Sequence, residues 1–286
     1  MSDFPNILAQ IETAVRVNTA DIAIVLICGL GIVFFVLWVF GFAGSVSLAS
    51  SPVRRNCVGF FVPIIQIGIW LVMSAVMTSV TDAAGGRSPR WFREFSIFLG
   101  VTILETGLIV IFLIFAWNTF ARRLKGFGLN LHTVVRDFPA AAINFITVLP
   151  LIFLAILAVD YIGRLFVGPD FQMQTNESLT VILENPQLML RILMIFFAIV
   201  IGPVFEEVLF RGMLQSMIRG YLRRPWLAIV ITSVIFATHH PPMHWPGIFI
   251  LSAGMGYAYE KSGSLFRPIF IHVFFNAMSV TASLLA

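Results

Sequence analysis

The sequence predicts an all-helical, polytopic membrane bundle of about eight transmembrane helices. Three observations carry that prediction. Of 286 residues, 59% are hydrophobic and only 11% charged, whereas a soluble domain carries about 25% charged residues; mean hydropathy is +0.95. Apolar segments long enough to cross a hydrocarbon core of ~30 Å, roughly 20 residues each, recur along the whole chain. The basic residues, finally, sort onto one side of those segments.

The expected spans are 21–46, 57–80, 96–120, 139–163, 187–210, 225–240, 246–260 and 265–285. The first has no charge between Asp21 and Arg54. The sixth and seventh are short, and the boundary His239–Pro246 between them also allows a single hairpin or re-entrant pair. With eight spans, one side collects Arg54, Arg55, Arg122, Arg123, Lys125, Arg136, Arg219, Arg223, Arg224, Lys261 and Arg267. The other holds Arg16, Arg87, Arg90, Arg93 and Arg164. The positive-inside rule puts the richer side in the cytoplasm and both termini outside it.

Residues 1–20 lack the basic start of a secretory signal. Ile7, Leu8, Ile11 and Val15 recur at helical spacing, which suggests an amphipathic interfacial segment. Residues 21–186 then form four helices plus a cap loop at 164–186, and residues 187–286 a four-helix core. The composition excludes disorder, with 29 Phe, a residue that disordered chains lack. Two cysteines, Cys28 and Cys57, exclude a disulfide scaffold or multi-cysteine metal cage. The net charge of +4 reads as cytoplasmic loops in a membrane chain, so no nucleic acid is expected as a partner; membrane lipid is.

Ionisable residues inside spans are expensive, about 2.5–3.5 kcal/mol each on insertion scales. Glu105 and Asp160 stand alone and read as structural. The last hundred residues differ, because Glu206, Glu207, Arg211, His239, His240, His244, His272 and Asn276 crowd into the last four spans. Glu207 and Arg211 are i,i+4 on one helical face in the favourable order. Glu206 points about 100° away, free of that partner and available as a base. His272 and Asn276 share a stripe at i,i+4, a donor pair suited to a developing oxyanion. Pro241 and Pro242 end the sixth helix directly after His240, so His244 reads as an interfacial loop residue. Gly254-Met255-Gly256 reads as close helix packing. No H-E-x-x-H, G-x-S-x-G or phosphate-binding loop is present, which leaves hydrolysis by activated water.

Glu206-Glu207-x-x-x-Arg211, Phe236-x-x-x-His240 and His272-x-x-x-Asn276 together resemble the CPBP family of intramembrane proteases. That family includes the Rce1-like type II CAAX prenyl endopeptidases and the bacterial Abi proteins. Gly202-Pro203 before the acidic pair and Phe210-Arg211-Gly212 after it agree, and the likeness covers residues 195–283. The resemblance implies that Glu206 activates water with help from His240, and that His272 and Asn276 stabilise the oxyanion. Arg211 would hold Glu207, with Phe236 as structural support. The implied substrate is a membrane-anchored or prenylated protein or peptide. Two chemistries stay open: Glu206, His240 and His272 as a three-ligand zinc site, making a metalloprotease, or Glu206 as a metal-free base. Counted along the helices, Glu206 and His240 come out at different depths, so convergence requires tilted helices around a cavity, expected to open to the cytoplasm. A proton- or ion-coupled transporter and a non-catalytic immunity or scaffold protein are the alternatives from other classes.

Overall fold

The computed structural model describes residues 19–42, 48, 51, 58–84, 88–174 and 177–285; residues 1–18 of the expected interfacial segment and Cys57 lie outside them. Every regular element among the described residues is helical. The chain runs through α1 (Thr19–Phe42), α2 (Phe61–Ala84), α3 (Arg90–Thr119), α4 (Val134–Val167) and the short α5 (Glu177–Glu184). It continues as the composite α6 (Leu188–Leu222), then α7 (Pro225–Thr238), α8 (Trp245–Ser262) and α9 (Phe266–Leu285).

Six of these, α1 to α4, α6 and α9, are long and apolar enough to cross a membrane. The expected sixth and seventh spans are shorter than the rest. α7 has 14 residues, a rise of about 21 Å. It stops where Pro241 and Pro242 remove backbone donors, and α8 returns alongside it. The pair forms a helical hairpin, which leaves the sidedness of the remaining helices as it would be with eight crossings.

Large apolar side chains stay exposed on the flanks, Val25, Leu26, Phe40, Phe61, Val72 and Leu154 among them, as a lipid-facing belt demands. α4 is packed by α1, α8 and α9. α1 comes close at Gly31, where any Cβ would run into Ile146 O and Pro150; Pro150 cannot donate to that carbonyl four residues back. Gly254 likewise faces Val148 of α4, and Gly256 faces Gln215 and Ile229. The small pair is close packing, as its sequence suggested.

α6 is the axis, buried nearly all round from Gly202 to Ile218. Its register alternates: α-helical to Phe196, π-helical over Phe197–Ile201, α-helical over Gly202–Glu207, and π-helical again over Val208–Gln215. In the first π segment Gly202 N–H donates to Phe197 O, five residues back. Continuing that register, Pro203 would owe a donor to Ala198 O and has none. The vacant acceptor is filled from another helix by Asn276 Nδ2, at 2.7 Å.

Candidate active site

The acidic pair divides as its spacing predicts. Glu207 is fully buried, and its Oε1 accepts from Arg211 Nη1 at 2.7 Å. Arg211, equally buried, donates through Nη2 to Ser252 Oγ (2.6 Å) and Ser252 O (3.2 Å) of α8. Its guanidinium also lies 4.6 Å from the centre of the Phe236 ring of α7. One charge therefore ties three helices together, and the buried ions neutralise each other, as a low dielectric requires.

Glu207 Oε1 also takes a bond from His272 Nδ1 at 2.9 Å. A carboxylate oxygen only accepts, so Nδ1 carries the proton. The ring is thereby turned so that Nε2 stands 3.8 Å from Glu206 Oε2. Glu206 Oε2 is itself buried with no hydrogen-bond partner among the described residues. His240 is held the same way, its Nδ1–H donating to Phe236 O at 3.1 Å, which leaves Nε2 as an acceptor. Phe236, fully buried, sits beneath both imidazoles, 5.1 Å from the His240 ring and 5.8 Å from that of His272. It is the floor of the site.

Glu206, His240, His272, Asn276 and Phe236 all line one cavity of about 360 Å³, walled by Ile156, Leu179, Phe197, Leu251, Phe275 and Val280. The four expected catalytic groups share one water-accessible space, from two helices and a turn. Glu207 and Arg211 stand behind it as the rigid support. His239 does not line it; its ring packs on Trp70 at 4.5 Å, so the second motif keeps its spacing, Phe236 to His240. Asp160 pairs with Arg164 at 2.7 Å in a part-exposed pair, a structural role. Glu105 accepts from Trp70 Nε1 at 3.2 Å.

Two features differ from expectation. His244, read as a plain loop residue, lines the cavity and donates from Nε2 to Gln174 O at 2.8 Å. With Leu179 of α5 it joins the 168–187 segment to the rim. That segment is tied to α3 by Asn185 Nδ2 donating to Glu94 Oε2 at 2.9 Å. Only a long-range contact reveals this, so no local signal pointed to it. The second difference is direction. Leu179, Pro241, His244 and Val280 belong to the helix ends near the 168–187 segment and the C-terminus, whereas the expected mouth lay near Arg219, Arg224 and Lys261. The cavity and the denser basic cluster occupy opposite ends of the bundle.

The donor atoms suit a zinc ion chemically, with two imidazole Nε2 atoms and a carboxylate. Their spacing does not: among the described residues no three His, Cys, Asp or Glu side chains gather closely enough to hold an ion. What the arrangement supports directly is a free carboxylate beside two oriented imidazoles and an amide.

Residues 188–278 match the family described as type II CAAX prenyl endopeptidase Rce1-like. The three motifs that carry the resemblance fall within this segment. The chain is also similar to an "Uncharacterized 24.3 kDa protein" of Escherichia coli, 27% identical over 125 residues, 41% of this chain and 56% of that protein. The match thus spans little more than half of that relative's length. No solved structure matches the chain.

Proposed function

We propose that this chain is an intramembrane endopeptidase of the CAAX-protease type, hydrolysing a peptide bond of a membrane-embedded or lipidated substrate. The observation that carries the reading is Glu206, its Oε2 without a hydrogen-bond partner among the described residues, lining the same cavity as His240, His272 and Asn276 while its neighbour Glu207 is neutralised.

In this reading a water in the cavity gives a proton to Glu206, and His240 Nε2 accepts its second hydrogen and aims a lone pair at the scissile carbonyl. As the carbon becomes tetrahedral, the oxyanion takes a bond from the second N–H of Asn276, the first being held by Ala198 O. His272 Nε2, when it carries a proton, supplies another. Glu206 then passes its proton to the leaving amine. Glu207 and Arg211 do not touch the substrate; they hold the His272 ring in place. The apolar walls would accept an aliphatic side chain or lipid tail.

The reading is tested with purified protein in detergent and two substrates, a farnesylated CAAX-type peptide and a transmembrane peptide. Cleavage of at least one is expected, and dialysis against EDTA is expected to leave the rate unchanged. Loss of cleavage that zinc restores would favour the metal-dependent chemistry. Proton or ion flux in liposomes without any cleavage would favour a transporter.

We also propose that the cavity opens to the cytoplasm. A prenyl group is added at a C-terminal CAAX cysteine, so such a substrate reaches the enzyme from the cytoplasmic leaflet. This orientation sets the chain against its own basic-residue asymmetry. Single cysteines placed at Asp170 or Arg224, with Cys28 and Cys57 changed to serine, distinguish the two. In intact cells an impermeant maleimide should label Arg224→Cys and spare Asp170→Cys. The reverse pattern would move catalysis outside the cytoplasm.

A further inference from the structure

One side-chain arrangement from the N-terminal half, outside the matched segment, reaches the back of the cavity. Trp70 of α2 is nearly buried, and its indole N–H donates to Glu105 Oε1 of α3 at 3.2 Å. The same ring meets two residues of the catalytic half. Phe205, directly before Glu206, lies 5.2 Å away between centroids. His239, directly before His240, lies 4.5 Å away. Phe205 rests in turn on Phe112 of α3 at 6.2 Å. None of Trp70, Glu105, Phe205 or His239 lines the cavity itself.

Glu105 is 4% exposed, and its Oε2 has no hydrogen-bond partner among the described residues. A buried carboxyl with one donor is costly in a membrane protein, and an apolar side chain could fill its volume. What the polar pair adds is direction: the indole N–H has one acceptor, so the plane of Trp70 is fixed. That plane bears on the rings of Phe205 and His239, the residues directly before Glu206 and His240.

We propose that Trp70 and Glu105 are positioning residues, a strut that sets the spacing between the Glu206 segment of α6 and the His239–His240 turn. The proposal rests on the hydrolytic reading of Glu206 and His240. It predicts lost rate without lost binding, because the strut lies behind the catalytic groups and away from the substrate walls.

The test uses the full-length protein, following kcat and KM for a cleaved peptide beside helix content and thermal midpoint. Glu105→Leu should lower kcat about tenfold with KM within about twofold, as expected for displaced reacting groups. Glu105→Gln keeps an oxygen acceptor for the indole and should restore kcat to within about threefold of the parent. Trp70→Phe keeps a ring but loses the N–H, and should fall about as far as Glu105→Leu. If Glu105→Leu does not fold, Trp70→Phe alone decides. Unchanged kcat in the folded variants overturns the strut, as does a Glu105→Gln variant no better than Glu105→Leu, or a loss that appears only with a collapsed midpoint. Glu206→Gln measured in parallel keeps the two ideas apart. If it still cleaves, the reading of Glu206 as the base fails; if it is dead while Trp70→Phe is fully active, only the strut fails.

Discussion

Glu206→Gln should abolish peptide-bond cleavage, by roughly a thousandfold or more, while the purified protein keeps its thermal midpoint. The substitution is nearly isosteric, and among the described residues Glu206 is in no ion pair with arginine or lysine, since Arg211 is committed to Glu207. Folding therefore loses little. Catalysis loses the group that accepts the proton of water, and an amide cannot replace it. Parallel measurement of the midpoint and the cleavage rate checks both halves. A Glu206→Gln variant that cuts at the parental rate removes the carboxylate from the mechanism.

Arg211→Met should do the opposite, damaging the fold and the reaction together. Glu207 is fully buried and would be left facing His272 alone. Removing one partner of such a pair costs about 3–5 kcal/mol, and both bonds to Ser252 go as well. A thermal midpoint lower by many degrees, with cleavage lost, is the expected result. Arg211→Lys should recover little. A single ammonium cannot span Glu207 and Ser252 together or lie flat on Phe236 as a guanidinium does. A lysine variant of parental stability would show that charge alone, without the planar fork, suffices.

The order of legibility follows the range of the interactions. Helical class and membrane residence are set by composition and run length, so they were readable throughout. The Glu207–Arg211 pair and the separate heading of Glu206 follow from i,i+4 geometry, and they hold although the backbone turns π-helical from Val208 onward. The π register itself is silent in sequence, because a one-residue slip leaves no mark in the apolar pattern. Pro203 was a visible clue, but its meaning depends on Asn276, 73 positions later. His272 was expected to serve an oxyanion alone; its second duty toward Glu207 emerges only from packing. His244 bonds a partner 70 positions away, and Trp70 meets the site through Phe205 and His239, 135 and 169 positions away, distances over which no periodicity speaks. The end of the bundle at which the cavity lies is hidden for a related reason. Counting residues from a helix end assumes that every helix starts at the same depth, and α6, rising about 50 Å over its 35 residues, far exceeds the hydrocarbon thickness.

The brevity of α7 reaches beyond the protein. Fourteen residues cannot match an undisturbed bilayer, so lipid beside the hairpin must pinch inward, or water and headgroups must follow the helix end down toward His240. Solvent for hydrolysis and a flexible peptide would then arrive by the same dimple. Such an enzyme is tuned to its lipids: long acyl chains would resist the dimple and starve the reaction, and short ones would favour it.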